Sequence, residues 1–148
     1  MKMIYENPWS FNNKPFNTED IKNYEGFVYV IVSQITFRCY IGRKYFFSMR
    51  KAKGATRRSK KESNWKVYYG SNKTLQDEVK EHGKENYKRV ILSLHTTKGD
   101  VNYEEVKQQF LQNVLEDDKY YNDNINGKWY RKADHIVKGR SLNEDFKL

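Results

Sequence analysis

Cysteine is almost absent from this chain: of 148 residues only Cys39 carries a thiol. An intramolecular disulfide is therefore impossible, and a zinc site built from several cysteines is excluded. Histidine is scarce too, and His82, His95 and His135 lack the close spacing of metal ligands. No apolar run approaches the roughly 20 residues of a membrane span, and the N-terminus lacks the apolar block of a secretion signal. These absences predict a cytosolic protein with no membrane partner. Acidic residues are outnumbered, 19 against 28 basic ones, giving a net charge of +9 and a pI near 9.5. Such a balance calls for an acidic partner, most simply nucleic acid. A membrane surface is the rival partner, but no basic amphipathic helix supports it. At 37% the hydrophobic content alone would suggest disorder, yet twelve Tyr, eight Phe and three Trp supply large apolar bodies with polar tips.

The pattern along the chain predicts a single α+β domain, a small antiparallel three-stranded sheet flanked by helices. Residues 1–25 hold both prolines and read as an aromatic strap carrying Trp9, Phe11 and Phe16, with a helical turn at Thr18-Glu19-Asp20. Phe27 to Ile35 is β-branched and aromatic, a buried strand. A turn near Gln34–Arg38 leads to a second strand at Cys39–Ile41, so the two form a hairpin. Residues 50–61 contain seven basic groups and no acid, which reads as a loop. Ser71 or Asn72 caps a helix over 73–82, with Leu75 and Val79 on one face and Gly83 as its stop. Tyr87–Leu94 alternates as a third strand. Asn102–Leu115 has Tyr103, Val106, Phe110 and Val114 at helical spacing. A basic extension follows from 126 to 148.

The most informative residues lie in the hairpin. Tyr29 stands in Val28-Tyr29-Val30, Tyr40 opens Tyr40-Ile41-Gly42 eleven residues later, and Arg50 follows Gly42 by eight. A phenol can help deprotonate water, a guanidinium can grip a phosphate bidentately, and a carboxylate can carry a metal. Each tyrosine alone could be an ordinary strand aromatic. Together the four residues resemble the GIY-YIG nuclease module over about residues 26–125. Trp65 through Ser71, Asn102 through Phe110 and Tyr120-Tyr121-Asn122 are similar to the Seg-like phage homing endonucleases. The Asn7-Pro8-Trp9 opening and the stretch from Trp129 to Arg140 extend that similarity.

The resemblance implies hydrolysis of phosphodiester bonds in double-stranded DNA, with Tyr29, Tyr40, Arg50 and Glu105 as catalytic residues. It implies Glu105 as the ligand of Mg²⁺ (or Mn²⁺), Gly42 as a point of close approach, and Asn122 as a buttress, although an asparagine there could equally turn the chain. It also implies action in the cytoplasm of an infected bacterium, in homing or competition between phages. Two positions depart from the family pattern. The first signature reads Val-Tyr-Val, and Gly54 stands where many relatives have a histidine, a role left to Lys44 or Tyr69. A helical wheel anchored on Val106, Phe110 and Val114 favours Glu104 over Glu105, so Glu104 is the named substitute. Lys51, Lys53, Arg57, Arg58, Lys60 and Lys61 are expected in a DNA-contacting loop that orders on binding. The competing reading is a catalytically weak nucleic-acid-binding module on the same fold. Cutting two strands with one site needs a transient dimer on DNA or sequential nicks, and the sequence does not set the oligomeric state.

Overall fold

The computed structural model describes residues 4–132. In chain order the elements are β1 (Ser10–Phe11), β2 (Lys14–Pro15), β3 (Gly26–Ser33), β4 (Cys39–Tyr45), β5 (Phe47–Lys51) and β6 (Arg58–Glu62). Then come α1 (Lys73–His82), β7 (Tyr87–His95), α2 (Lys98–Leu111), β8 (Asn124–Ile125) and β9 (Trp129–Tyr130). The sheet runs β2-β1-β7-β3-β4. Its centre, β7-β3-β4, is antiparallel as expected, but the sheet is five-stranded and mixed rather than three-stranded, because β1 joins β7 in parallel. The strap makes that addition possible. Asn12 and Asn13 both take positive φ, 51° and 65°, the geometry a two-residue hairpin turn demands.

The strap is held by its aromatics and by one arginine. Trp9 is fully buried, donates from Nε1 to the Trp65 carbonyl at 2.7 Å, and meets Phe27 and Tyr29 edge-on. Arg89, buried beneath it, donates to the carbonyls of Asn7 at 2.5 Å and Tyr68 at 2.9 Å. These bonds satisfy a charge that would otherwise be costly to bury. Strand β3 has a core on each face, which is why its sequence is an almost unbroken apolar run. On one side Phe27, Tyr29 and Ile31 pack with Trp65, Phe46 and Leu75. On the other, Val28 packs with Ile41, Val101 and Val114.

Helix α1 lies where the cap and stop signals put it: Asn72 Oδ1 accepts from the Leu75 amide at 2.9 Å, and Gly83 takes φ 95°. Helix α2 differs from expectation. It begins four residues early, because Thr97 caps it by accepting from the Asp100 amide at 3.1 Å. It ends at Leu111, and Asn113 then turns the chain with φ 53°. Tyr103 and Phe110, expected on the core stripe, are exposed; the buried residues are Val101, Glu105 and Gln109.

The basic segment is also corrected. Its two ends are strands of an antiparallel ribbon, with Phe47 opposite Glu62 and Lys51 opposite Arg58, and only residues 52–57 form a loop, at the ribbon's tip. The ribbon is pinned at its base, where the Ser63 amide donates to the Phe46 carbonyl at 2.8 Å. Lys60 lies 4.3 Å over the Phe47 ring and 3.5 Å from Glu25, which relieves part of the charge repulsion. The expected C-terminal extension is described only to residue 132: β8 and β9 pair, and Arg131 donates to the carbonyls of Tyr120 and Asn122. Its remainder lies outside the described residues. Among the described residues no helix is long and apolar enough to cross a membrane.

Candidate active site

The β3–β4 register sets Tyr29 opposite Gly42 and Ile31 opposite Tyr40. Tyr29 and Tyr40 are therefore diagonal neighbours on one face, their ring centroids 6.2 Å apart. A shift in the β3–β7 register between Val28 and Tyr29 leaves Leu92 unpaired and re-aims the strand there. A β-carbon at Gly42 would lie 2.7 Å from Tyr29 Cζ and 2.9 Å from Tyr40 Cε1, so only glycine fits beneath the pair. Tyr29 is buried and meets Tyr68 edge-on at 6.1 Å. Burial, reinforced by Tyr40 and Tyr68, pushes its phenol well above the ordinary range. Tyr40 Oη lies 2.8 Å from Ser71 Oγ, and burial pushes its phenol up to about 12 against the easing effect of that bond.

Strand β4 is the edge of the sheet, so residues from both of its faces reach the same side. Arg43 Nη1 lies 2.6 Å from Glu105 Oε1, delivered by α2. Burial pushes the Glu105 carboxyl up, and the Arg43 guanidinium opposes that without cancelling it. Arg43 Nε also donates to Tyr45 Oη at 3.3 Å. Lys44 Nζ sits 4.0 Å over the Tyr68 ring and donates to Asn64 Oδ1 at 2.6 Å, and burial draws its ammonium down. A cavity of about 320 Å³ opens between Tyr29, Tyr40, Arg43, Lys44, Tyr68 and Glu105.

The outer edge of β4 is met at Cys39 by the backbone of Lys119 and Tyr121 and at Ile41 by side chains. Asn122 Oδ1 accepts from the Ile41 amide at 3.1 Å, while its Nδ2 donates back to the Ile41 carbonyl at 2.8 Å. Gln109 Nε2 donates to the same carbonyl at 2.9 Å. Beyond the Arg43–Glu105 pair lies a second cavity, of about 590 Å³, bordered by Gln109, Asn122 and Asn124.

Of the residues singled out in the sequence, Tyr29, Tyr40, Gly42, Lys44 and Glu105 come together, with Asn122 behind them. Arg50 does not join them. It lies on β5 in a neighbouring cavity of about 460 Å³ with Lys44, Ser48 and Lys61. Tyr69 is turned away, stacked 4.3 Å beneath the Arg89 guanidinium and bonded to Asn7. Its neighbour Tyr68 faces the cavity instead. Glu104 also lies outside, accepting from Gln108 at 2.9 Å, with Lys107 3.9 Å away. Lys51, Arg58, Lys60 and Lys61 project from the ribbon, and Lys53 and Arg57 from its tip, all exposed. Sequence reasoning missed Arg43, Tyr68 and Ser71 as members of the site. Arg43 left one signal, as the first cation after Gly42; Tyr68 and Ser71 stand in the Trp65–Ser71 stretch that carries the resemblance, Tyr68 with no role of its own and Ser71 as a candidate helix cap.

Among the described residues no three His, Cys, Asp or Glu side chains cluster as a metal site. The donor set at the cavity is one carboxylate, Glu105. That suits Mg²⁺ or Mn²⁺, hard ions that take one or two carboxylates and fill the remaining positions with water and substrate phosphate. It does not suit a structural zinc.

The family described as "Putative endonuclease segE, GIY-YIG domain" matches residues 9–125. No curated protein sequence and no solved structure matches the chain.

Proposed function

Because this chain belongs to the SegE GIY-YIG domain family, we propose that it is a divalent-metal-dependent endonuclease hydrolysing phosphodiester bonds of double-stranded DNA. The observation that carries the reading is the convergence of two phenols, a guanidinium, an ammonium and a carboxylate on one cavity.

Each group has a definable task. Arg43, already oriented by Glu105 and Tyr45, presents its guanidinium to a non-bridging phosphate oxygen. Tyr40, fixed by Ser71, positions the attacking water and, once ionised to the phenolate, takes its proton and returns to the neutral phenol. With a phenol pushed up to about 12, Tyr40 acts as a base only beside concentrated positive charge, which Arg43 and Lys44 help to supply. The oxygen of that water bonds to phosphorus as the opposite P–O bond breaks in line. Lys44, whose ammonium burial has made more acidic, protonates the leaving oxygen and fills the place of the missing histidine. Tyr29 holds Tyr40 in position and keeps bulk water out. Glu105 would hold the Mg²⁺ or Mn²⁺ ion, which when bound stabilises negative charge building on the phosphate.

The ribbon cations Lys51, Lys53, Arg57, Arg58, Lys60 and Lys61 grip the DNA backbone. Arg50, expected as a catalytic group, serves on this reading as a clamp on a flanking phosphate. The setting is the cytoplasm of a phage-infected bacterium, in homing or phage competition.

One observation favours the second reading, a weakly catalytic nucleic-acid-binding module: Glu105 is already engaged by Arg43 at 2.6 Å. Nicking of supercoiled plasmid tests both. Cleavage by the wild type that disappears with EDTA and in Glu105→Ala is expected of the nuclease. DNA binding without cleavage at any Mg²⁺ or Mn²⁺ concentration would establish the module instead.

A further inference from the structure

Three cavities share walls in series across this face. The one of about 460 Å³ beside the ribbon has Lys44 and Ser48 in common with the central one of about 320 Å³. The central one has Tyr40, Arg43, Ser71 and Glu105 in common with the largest, of about 590 Å³. A DNA strand that passes the ribbon and is cut at Arg43 continues into the largest cavity.

The two ends of this groove differ in charge. The ribbon end presents Lys44, Arg50 and Lys61, which suits phosphate. At the far end each cation is engaged, Arg43 with Glu105 at 2.6 Å and Lys73 with Asp77 at 2.8 Å. The carboxylates of Glu105 and Asp123 border the same space, so it disfavours a second phosphate. Its buried amides are committed to the backbone: Asn72 donates to the Tyr121 carbonyl, and Gln109 and Asn122 to that of Ile41. A polar recess of this size and charge suits an uncharged group with hydrogens to donate, and on a DNA strand that group is a base.

Asp123 is oriented for such a contact by the turn between β8 and β9. The Gly127 amide donates to Asn124 Oδ1 at 3.1 Å, which fixes the Asn124 side chain, and Asn124 Nδ2 donates to Asp123 Oδ1 at 3.0 Å. The second Asp123 oxygen has no partner among the described residues. A carboxylate accepts and cannot donate. We infer that the largest cavity is a base-reading subsite, in which Asp123 accepts a hydrogen bond from the exocyclic amino group of a base flanking the cut. The inference rests on the nuclease reading above. Adenine, cytosine and guanine carry such a group. Thymine carries none, and its carbonyl oxygens are repelled by the carboxylate.

Single-turnover nicking by the full chain tests this, on duplexes that differ only in the base at each position beside a mapped cut. At one such position wild type is expected to cut thymine about tenfold more slowly than its preferred base. Exchanging the preferred base for its analogue without the amino group (hypoxanthine for guanine, purine for adenine, pyrimidin-2-one for cytosine) is expected to slow wild type to the same extent. A folded Asp123→Ala, checked by thermal unfolding, is expected to show little of either loss. In Asp123→Asn the Asn124 side chain still engages the oxygen, so an N–H faces the base and thymine is expected to rank first. Amino-group removal that slows wild type and Asp123→Ala equally overturns the inference, as does a wild type indifferent to thymine; the cavity then holds only solvent. Should the alanine variant not fold, an Asp123→Asn that keeps thymine last overturns it. A wild type that nicks no substrate removes the nuclease reading, and this inference with it.

Discussion

The Tyr29 phenol lies over Gly42, its partner across the β3–β4 pair, in the space that a β-carbon at position 42 would fill. The two signature halves, on adjacent strands of one hairpin, are thus one packed unit. Gly42→Ala is expected to displace the Tyr29 ring and, with it, Tyr40. The overpacking should cost about 1–3 kcal/mol of stability, and a shift of about 1 Å in the phenols should slow nicking roughly 100-fold. Urea unfolding and plasmid nicking on the same preparation measure both. A variant that loses stability but nicks at the wild-type rate would show that the tyrosines are only core.

The hairpin and its tyrosines were legible because β-branched runs, a turn and a glycine are local signals. So were α1 and its caps. The ribbon was not, because a run of cations is compatible with a loop or an exposed strand, and only the pinning of Phe46 by Ser63 and Glu25 decides. The stripe of α2 misled for a different reason. Its inward face carries Glu105 and Gln109, polar residues kept inside by Arg43 and Ile41. Apolar periodicity therefore pointed to Tyr103 and Phe110, which are exposed. The position of Arg43 depends on β4 being the sheet edge, which no local pattern encodes.

Tyr40 supplies a test at alkaline pH. Its phenol ionises at 10.0 when unfolded and at about 12 in place, so between those values the unfolded state holds fewer protons and stability falls as pH rises. The Tyr40 contribution is fully present below pH 10 and is lost as pH rises through about 12. Tyr40→Phe is expected to flatten the decline in that window by as much as one proton, about 1.4 kcal/mol per pH unit. Tyr5 and Tyr121, also raised to about 12, keep a residual slope. Urea midpoints at several pH values give the comparison. An unchanged slope would mean that Tyr40 meets solvent freely.

Arg89 ties the strap to the cavity wall through the Asn7 and Tyr68 carbonyls. Arg89→Met keeps much of the bulk and removes the donors, leaving buried acceptors at about 1–3 kcal/mol each. A loss of about 3 kcal/mol or more in urea unfolding is expected. Faster amide exchange should appear around residues 6–10 before it appears in β3. Uniform exchange across the molecule would show that the strap is not separately anchored.

Arg43 and Arg50 offer the sharpest separation of tasks, because both are cations near one cavity edge but only Arg43 touches the carboxylate. Arg43→Ala removes a donor aimed at the reacting phosphate and is expected to lower the nicking rate by about 100–1,000-fold. DNA affinity should change little, since one of many cations is lost. Arg50 lies with Ser48 and Lys61 on the ribbon side that borders Lys44. Arg50→Ala is expected to weaken binding irrespective of sequence and to reduce the salt dependence of affinity by about one unit of slope. At saturating enzyme its nicking rate should remain close to that of the wild type. Lys61→Ala should behave like Arg50→Ala, and the double variant should lower the slope by about two. Binding isotherms at several salt concentrations, beside single-turnover nicking, read both quantities. If Arg50→Ala abolished nicking at saturation while Arg43→Ala did not, the catalytic guanidinium would be the one on the ribbon, which would have to fold over the cavity once DNA is bound.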